Sequence, residues 1–139
     1  MIFSQRWIMT ENRQTTPYEL IGKEAAILSL VERFYFFMDT LPEAAGIRAM
    51  HAADLSGARA KLFKFLSGWL GGPDLFIQEY GHPRLRQRHF PFAIDADARD
   101  QWMLCMNKAL NETAMDANFR ENLRQALQQL ATHMINQDV

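Results

Sequence analysis

The apolar positions Ile27, Leu30, Val31, Phe34 and Met38 recur at intervals of three and four between Lys23 and Asp39. That spacing predicts an amphipathic helix with one buried face. Leu55, Ala58, Leu62, Phe65, Leu66 and Trp69 repeat the pattern and predict a second helix over about Leu55 to Leu70. Asp95 suits the N-cap of a third, in which Trp102, Cys105, Met106, Ala109 and Leu110 share a face before it ends near Thr113. A fourth runs from about Asp116 to Asn136 and buries Phe119, Leu123, Ala126, Leu127, Leu130, Met134 and Ile135.

The polar and helix-breaking positions divide these helices. Pro42 ends the first, and Pro42 to Asp54 reads as a corner with a single helical turn before His51. Gly71-Gly72-Pro73 breaks the second, because paired glycines allow positive φ and proline cannot continue the ladder. Asp74 to Tyr80 predicts a short helix capped by Asp74, and Pro83 and Pro91 bracket another over Arg84 to His89. No stretch alternates at period two for long enough to make a strand, and no repeat is present. The fold class is therefore all-α. The glycine-proline break and the middle region of short helices suit two helix pairs with a gap between them.

Composition narrows what such a gap serves. The 139 residues fit one domain, and an apolar share of 48% supplies one core. Lys plus Arg at 15 nearly cancels Asp plus Glu at 16, so no global field draws the chain to nucleic acid or to an anionic membrane. Cys105 is the only cysteine, which excludes an internal disulfide and a cysteine-built metal site and fits the reducing cytoplasm. Residues 1–16 read as an N-terminal extension, a tail or short extra helix, ahead of a domain over 17–139. They lack the uninterrupted apolar run of a signal peptide or membrane span.

The chemistry gathers in Gly81 to Ile94, which holds His82 and His89, Arg84, Arg86 and Arg88, and Pro83 and Pro91. A neutral imidazole at His89, between arginines and the apolar Phe90, Phe92 and Ile94, suits a flat, apolar, anionic, metal-bearing ligand such as haem. A capping histidine at a helix C-terminus fits the segment equally well. If His89 holds iron, the opposite face needs hydrogen-bond donors, and Tyr35, His51 and Trp102 qualify by type. Each also has an ordinary reading, as a core aromatic with a satisfied tip or a solvated loop histidine. Arg88 and Lys61 are the better candidates to pair with propionates, while Arg84 and Arg86 read as a solvated basic face. His82 and His133 read as structural, and Cys105 as a small buried apolar residue. The sequence carries no phosphate loop, hydrolase triad order, HExxH or acidic metal pair.

Taken together, these residues resemble the truncated haemoglobins, and within them the second group. The likeness covers about Pro17 to Asn136. It rests on Arg33-Phe34-Tyr35, on Leu66 to Pro73 ending in Gly-Gly-Pro, and on Gly81-His-Pro-Arg-Leu-Arg with Arg88-His89 and Pro91-Phe92. Arg99-Asp100-Gln101-Trp102 leading to Cys105-Met106 completes it. The resemblance implies a globin-like two-on-two helical sandwich around haem b, with His89 as proximal iron ligand and Tyr35 and Trp102 as distal donors. His51 falls where many group members have tyrosine and would be a third distal donor. Ala58 matches the position of the distal histidine of ordinary globins. Lys61, Arg88 and Tyr80 match propionate-binding positions, and Phe34, Leu55, Leu62, Phe65, Phe92, Ile94 and Met106 complete the implied haem contacts. Where the family often has a glycine pair before the first long helix, this chain has Gly22-Lys23.

The implied function is binding of dioxygen, nitric oxide, carbon monoxide or a similar small ligand, with slow release from several donors. One alternative is an enzyme on the same haem, a nitric oxide dioxygenase or peroxidase served by an external reductase. Another is a haem-free helical adaptor.

Overall fold

Thr16 starts the first described helix through a reciprocal cap. Its hydroxyl accepts from the Glu19 N–H at 3.2 Å, and the Glu19 carboxylate accepts from the Thr16 N–H at 3.1 Å. The computed structural model describes residues 15–137. The extension read over residues 1–16 therefore lies mostly outside the described residues. Helix α1 (Pro17–Ile21) ends at Gly22 with φ 115°, in the left-handed region. Lys23 is left-handed too, with φ 62°. The second position of the turn is thus left-handed without being glycine, at a cost of about 1 kcal/mol for a side chain in that region.

Helix α2 (Lys23–Thr40) buries Ile27, Leu30, Val31, Phe34, Tyr35 and Met38, the face its spacing predicted. The corner after it holds more structure than one turn: a 3-10 turn over Pro42–Ala44 runs into α3 (Ala45–Ala49). Helix α4 (Ser56–Trp69) follows, then α5 (Leu75–Tyr80) and α6 (Leu85–Arg88). Two long helices close the chain, α7 (Ala96–Asn111) and α8 (Ala117–His133). Asp95 and Asp116 cap them, accepting from the N–H groups of Ala98 at 2.8 Å and Phe119 at 3.0 Å. Asp74 does not cap α5 in this way. Its carboxylate accepts from the Gln78 side chain at 2.6 Å.

Helix α2 packs on α4 and on α7, and α7 packs on α8, which gives the two pairs of a two-on-two sandwich. Among the described residues there is no strand, and no helix is long and apolar enough to cross a membrane. Phe34 is fully buried at the crossing. Its ring centroid lies 4.9 Å from that of Tyr35 and 5.0 Å from that of Trp102. Truncating such a residue to alanine costs about 3–5 kcal/mol, so this aromatic trio fixes the inner wall. Arg120 closes the turn between α7 and α8 by donating to the carbonyls of Leu110 and Thr113, acceptors that the end of α7 would otherwise leave open.

The Gly-Gly-Pro break also holds the start of the domain. Gly72 lies under the Tyr18 ring, where a Cβ would stand 2.3 Å from a ring carbon, and the Tyr18 N–H donates to the Leu70 carbonyl at 2.8 Å. Buried Ser67 donates to the Pro73 carbonyl at 2.7 Å. These contacts anchor α1 on the end of α4.

Candidate functional site

His89 follows a helix of a single turn, and its approach is built by backbone choices on both sides. Gly81 has φ 80° and Arg84 has φ 44°, so Arg84 stands before the turn and not inside it. The chain then makes Leu85–Arg88 and places His89 at its C-cap. The His89 ring Nδ1 lies 2.6 Å from the Leu85 carbonyl. A carbonyl oxygen only accepts, so Nδ1 carries the proton and Nε2 keeps its lone pair. That is the form in which an imidazole binds a metal, with its other nitrogen held by a backbone acceptor.

Three side chains brace this turn. Asn136 donates to the carbonyls of His89 at 3.2 Å and Phe92 at 2.9 Å, and its own carbonyl accepts from the Ile94 N–H at 2.9 Å. Arg86 donates to the carbonyls of His133 and Ile135, at 3.2 and 2.7 Å. It is exposed, as its sequence suggested, and is in addition a tie to the end of α8. Arg88 donates to the Pro83 and Tyr80 carbonyls and lies 5.2 Å over the Phe76 ring. His82 accepts from the Arg84 N–H at 3.1 Å, a local role in the loop.

A cavity of about 540 Å³ opens beside His89, within the range of about 300–1,000 Å³ usual for cofactor sites. It brings Tyr35, His51, Trp102, Lys61, Leu62, Phe65, Arg88, His89, Phe92 and Ile94 to one wall or another, together with the small Ala58. Phe34, Leu55, Tyr80 and Met106 do not reach it. Phe34, Leu55 and Met106 are buried in the core behind it. Tyr80 lies outside, beneath the ammonium of Lys61 at 5.6 Å and that of Lys64 at 5.8 Å.

The sequence reading missed Ile47, Met50 and Phe76, Leu130 and Ala131 from α8, and Met134 at its C-cap, all of which line the cavity. Leu130 and Met134 had been read as plain core residues, and their spacing of four was the available signal. Arg99 lines it too, donating to Asp100 at 2.7 Å and to the Thr132 hydroxyl at 2.8 Å.

Across from His89, three polar rings differ in what they offer. Burial pushes the Tyr35 phenol above its ordinary pKa, against a smaller opposing effect of the Arg59 charge. It stays protonated, and its O–H donates weakly to the Ala58 carbonyl at 3.4 Å. The Trp102 indole N–H has no hydrogen bond to any described residue. His51 is anchored like His89, with Nδ1 2.8 Å from the Ile47 carbonyl four residues before it. Its loop is tied by Arg48, which donates to Asp39 at 2.8 Å and to the carbonyls of Ala52 and Ala53, each at 3.0 Å.

The donor set fits haem. Among the described residues no three His, Cys, Asp or Glu side chains form a metal cluster. A metal held by the single imidazole of His89 therefore draws its remaining donors from the ligand, as in a porphyrin. Apolar walls suit the macrocycle, and Lys61, Arg88 and Arg99 are the cations available to its carboxylates.

Residues 16–136 match the family described as bacterial-like globin. A group 2 truncated haemoglobin of Bacillus subtilis is 38% identical over 121 residues, which is 87% of this chain and 89% of that protein. Among solved structures, the cold-adapted truncated haemoglobin of the Antarctic marine bacterium Pseudoalteromonas haloplanktis is similar at a TM-score of 0.86 and 53% identity. It covers 88% of this chain and 99% of that one. The group II 2-on-2 haemoglobin of the plant pathogen Agrobacterium tumefaciens has the same TM-score with 48% identity, over 89% of this chain and 96% of that one.

Proposed function

The chain belongs to the bacterial-like globin family, as a group 2 truncated haemoglobin, and from that premise we propose how its own residues hold haem and a bound diatomic ligand. His89 is the proximal iron ligand. The observation that carries this role is the 2.6 Å contact of its Nδ1 with the Leu85 carbonyl at the cavity wall, which leaves Nε2 basic. Held by His89, haem b would supply the iron at which dioxygen or another diatomic binds reversibly. Lys61 and Arg88 pair with the propionates. Leu62, Phe65, Phe92 and Ile94 exclude water from the ring faces.

Tyr35 and Trp102 act on the bound ligand. Each brings a proton to a dry pocket, where a hydrogen bond to the ligand's partial negative charge counts for more than in water. A neutral bond contributes about 1 kcal/mol, so each donor slows release roughly fivefold if it must break first. Slow release suits sensing or chemistry more than delivery. Nitric oxide and carbon monoxide are expected at the same site, and any turnover requires an external reductase. The domain spans residues 17–139 with 1–16 as an extension, and the single buried cysteine fits a cytoplasmic setting.

Purified protein supplied with haem is expected to show a Soret band that weakens or shifts greatly in His89→Ala. A spectrum identical to the parent's would remove His89 as the ligand.

A further inference from the structure

By residue type, Tyr35, His51 and Trp102 all qualify as donors to a bound ligand. The geometry separates them. His51 holds its Nδ1 at 2.8 Å from the Ile47 carbonyl, and that oxygen has no proton to give. The ring therefore supplies the proton from Nδ1, and the neutral imidazole keeps a lone pair on Nε2. Tyr35 turns its hydroxyl to Ala58 and not to His51, although the two ring centroids are 6.0 Å apart. No described residue donates to His51 Nε2.

The cavity is lined by the cations Lys61, Arg88 and Arg99 and by no carboxylate. The loop side carries Arg48, joined to Asp39, and Asp54, whose carboxylate accepts from the Ser56 N–H at 2.9 Å, and from α2 the facing group is the Tyr35 phenol.

We propose that His51 faces the ligand as a hydrogen-bond acceptor, so that this pocket favours protic ligands over those that carry lone pairs alone. The proposal rests on the haem reading above and concerns only the distal wall. Trp102 can only donate, Tyr35 can do either, and His51 accepts. Dioxygen, carbon monoxide or fluoride uses the first two and meets a lone pair at the third. Water, hydrogen peroxide or hydrosulfide brings its own hydrogen and is matched at all three. The substrate class singled out is thus a small hydrogen-bearing oxygen or sulfur ligand on ferric haem.

Two measurements on the haem-loaded protein test this, both at about pH 8, above the range in which free imidazoles titrate. The first is side-chain nitrogen NMR of the diamagnetic ferrous carbon monoxide complex. His51 is expected with its proton on Nδ1, and a proton on Nε2 overturns the proposal. The second compares fluoride and hydrosulfide affinities of the ferric protein by optical titration, in the parent and in His51→Phe. Their ratio cancels whatever ligand both displace. Loss of one weak acceptor bond raises the fluoride-to-hydrosulfide ratio by about twofold or more, and an unchanged or lower ratio overturns the proposal. The haem reading fails separately, through a missing Soret band or one untouched by His89→Ala.

Discussion

The side-chain amide of Asn136 spans the loop after His89, donating at 3.2 Å to the carbonyl of His89 itself. The same side chain holds Phe92 and Ile94, and its backbone N–H donates to the Ile94 carbonyl at 2.8 Å. A residue beyond the last helix therefore sets the position of the proposed iron ligand. Asn136→Ala is expected to speed haem transfer to an excess haem-free acceptor globin by about tenfold, the equivalent of one or two neutral bonds. The Soret loss measures the rate, and an unaltered rate would show that the clamp does not govern haem retention.

Tyr35→Phe and Trp102→Phe should each raise the oxygen dissociation rate about fivefold. Tyr35 is the more telling of the two, because its hydroxyl must leave the 3.4 Å contact with Ala58 to reach a ligand. Stopped-flow displacement of oxygen by carbon monoxide measures both, and unchanged rates in the pair would remove the donor role.

Burial raises the Cys105 thiol from its ordinary 9.0 to about 11. Between those values the folded chain keeps a proton that the unfolded chain releases, so stability must fall as pH rises through this window. The contribution is present below 9 and amounts to about 2–3 kcal/mol when fully lost. Urea unfolding of the parent at about pH 8 and about pH 10.5 should show this decline, and Cys105→Ala should lessen it. An equal decline in both proteins would assign it elsewhere, with Tyr35, also raised by burial, the next group to examine.

Lys23 adopts φ 62° where glycine would be unstrained. Lys23→Gly is expected to stabilise the fold by up to about 0.5 kcal/mol, the relief of left-handed strain less the added freedom of the unfolded chain. Urea midpoints decide it, and a less stable variant would mean that the lysine side chain holds the turn in some other way.

The long helices were legible because each is several turns of one repeating contact. Ile27, Leu30, Val31, Phe34 and Met38 point one way whatever they meet. The histidines on either side of the cavity were legible as types, but their protons were not. Those depend on a carbonyl four residues back, which only the folded turn brings to the ring. Asn136 was read as the last residue of α8 because Met134 and Ile135 extend its apolar face. The helix instead stops at His133, where Arg86 takes the His133 carbonyl and the Ile94 carbonyl takes the Asn136 N–H, two groups that another turn would need. Asp74 carried a strong capping signal, yet Gln78 took its carboxylate. The partners that end α8 lie far from it in the chain, whereas the Asp74 carboxylate met a competitor within its own helix. The corner from Pro42 to Asp54 was too short for periodicity, so the lining roles of Ile47 and Met50 were invisible.

Both imidazoles at the cavity hang from main-chain oxygens, those of Ile47 and Leu85. Every amino acid supplies that oxygen, so replacement of residue 47 or 85 leaves the acceptor in place. The orientation of both rings is thus insulated from side-chain drift but tied to chain length. A single inserted or deleted residue between 47 and 51, or between 85 and 89, would shift the carbonyl out of register and release the ring. Tolerance of replacement with intolerance of length change is the mutational signature that this construction implies.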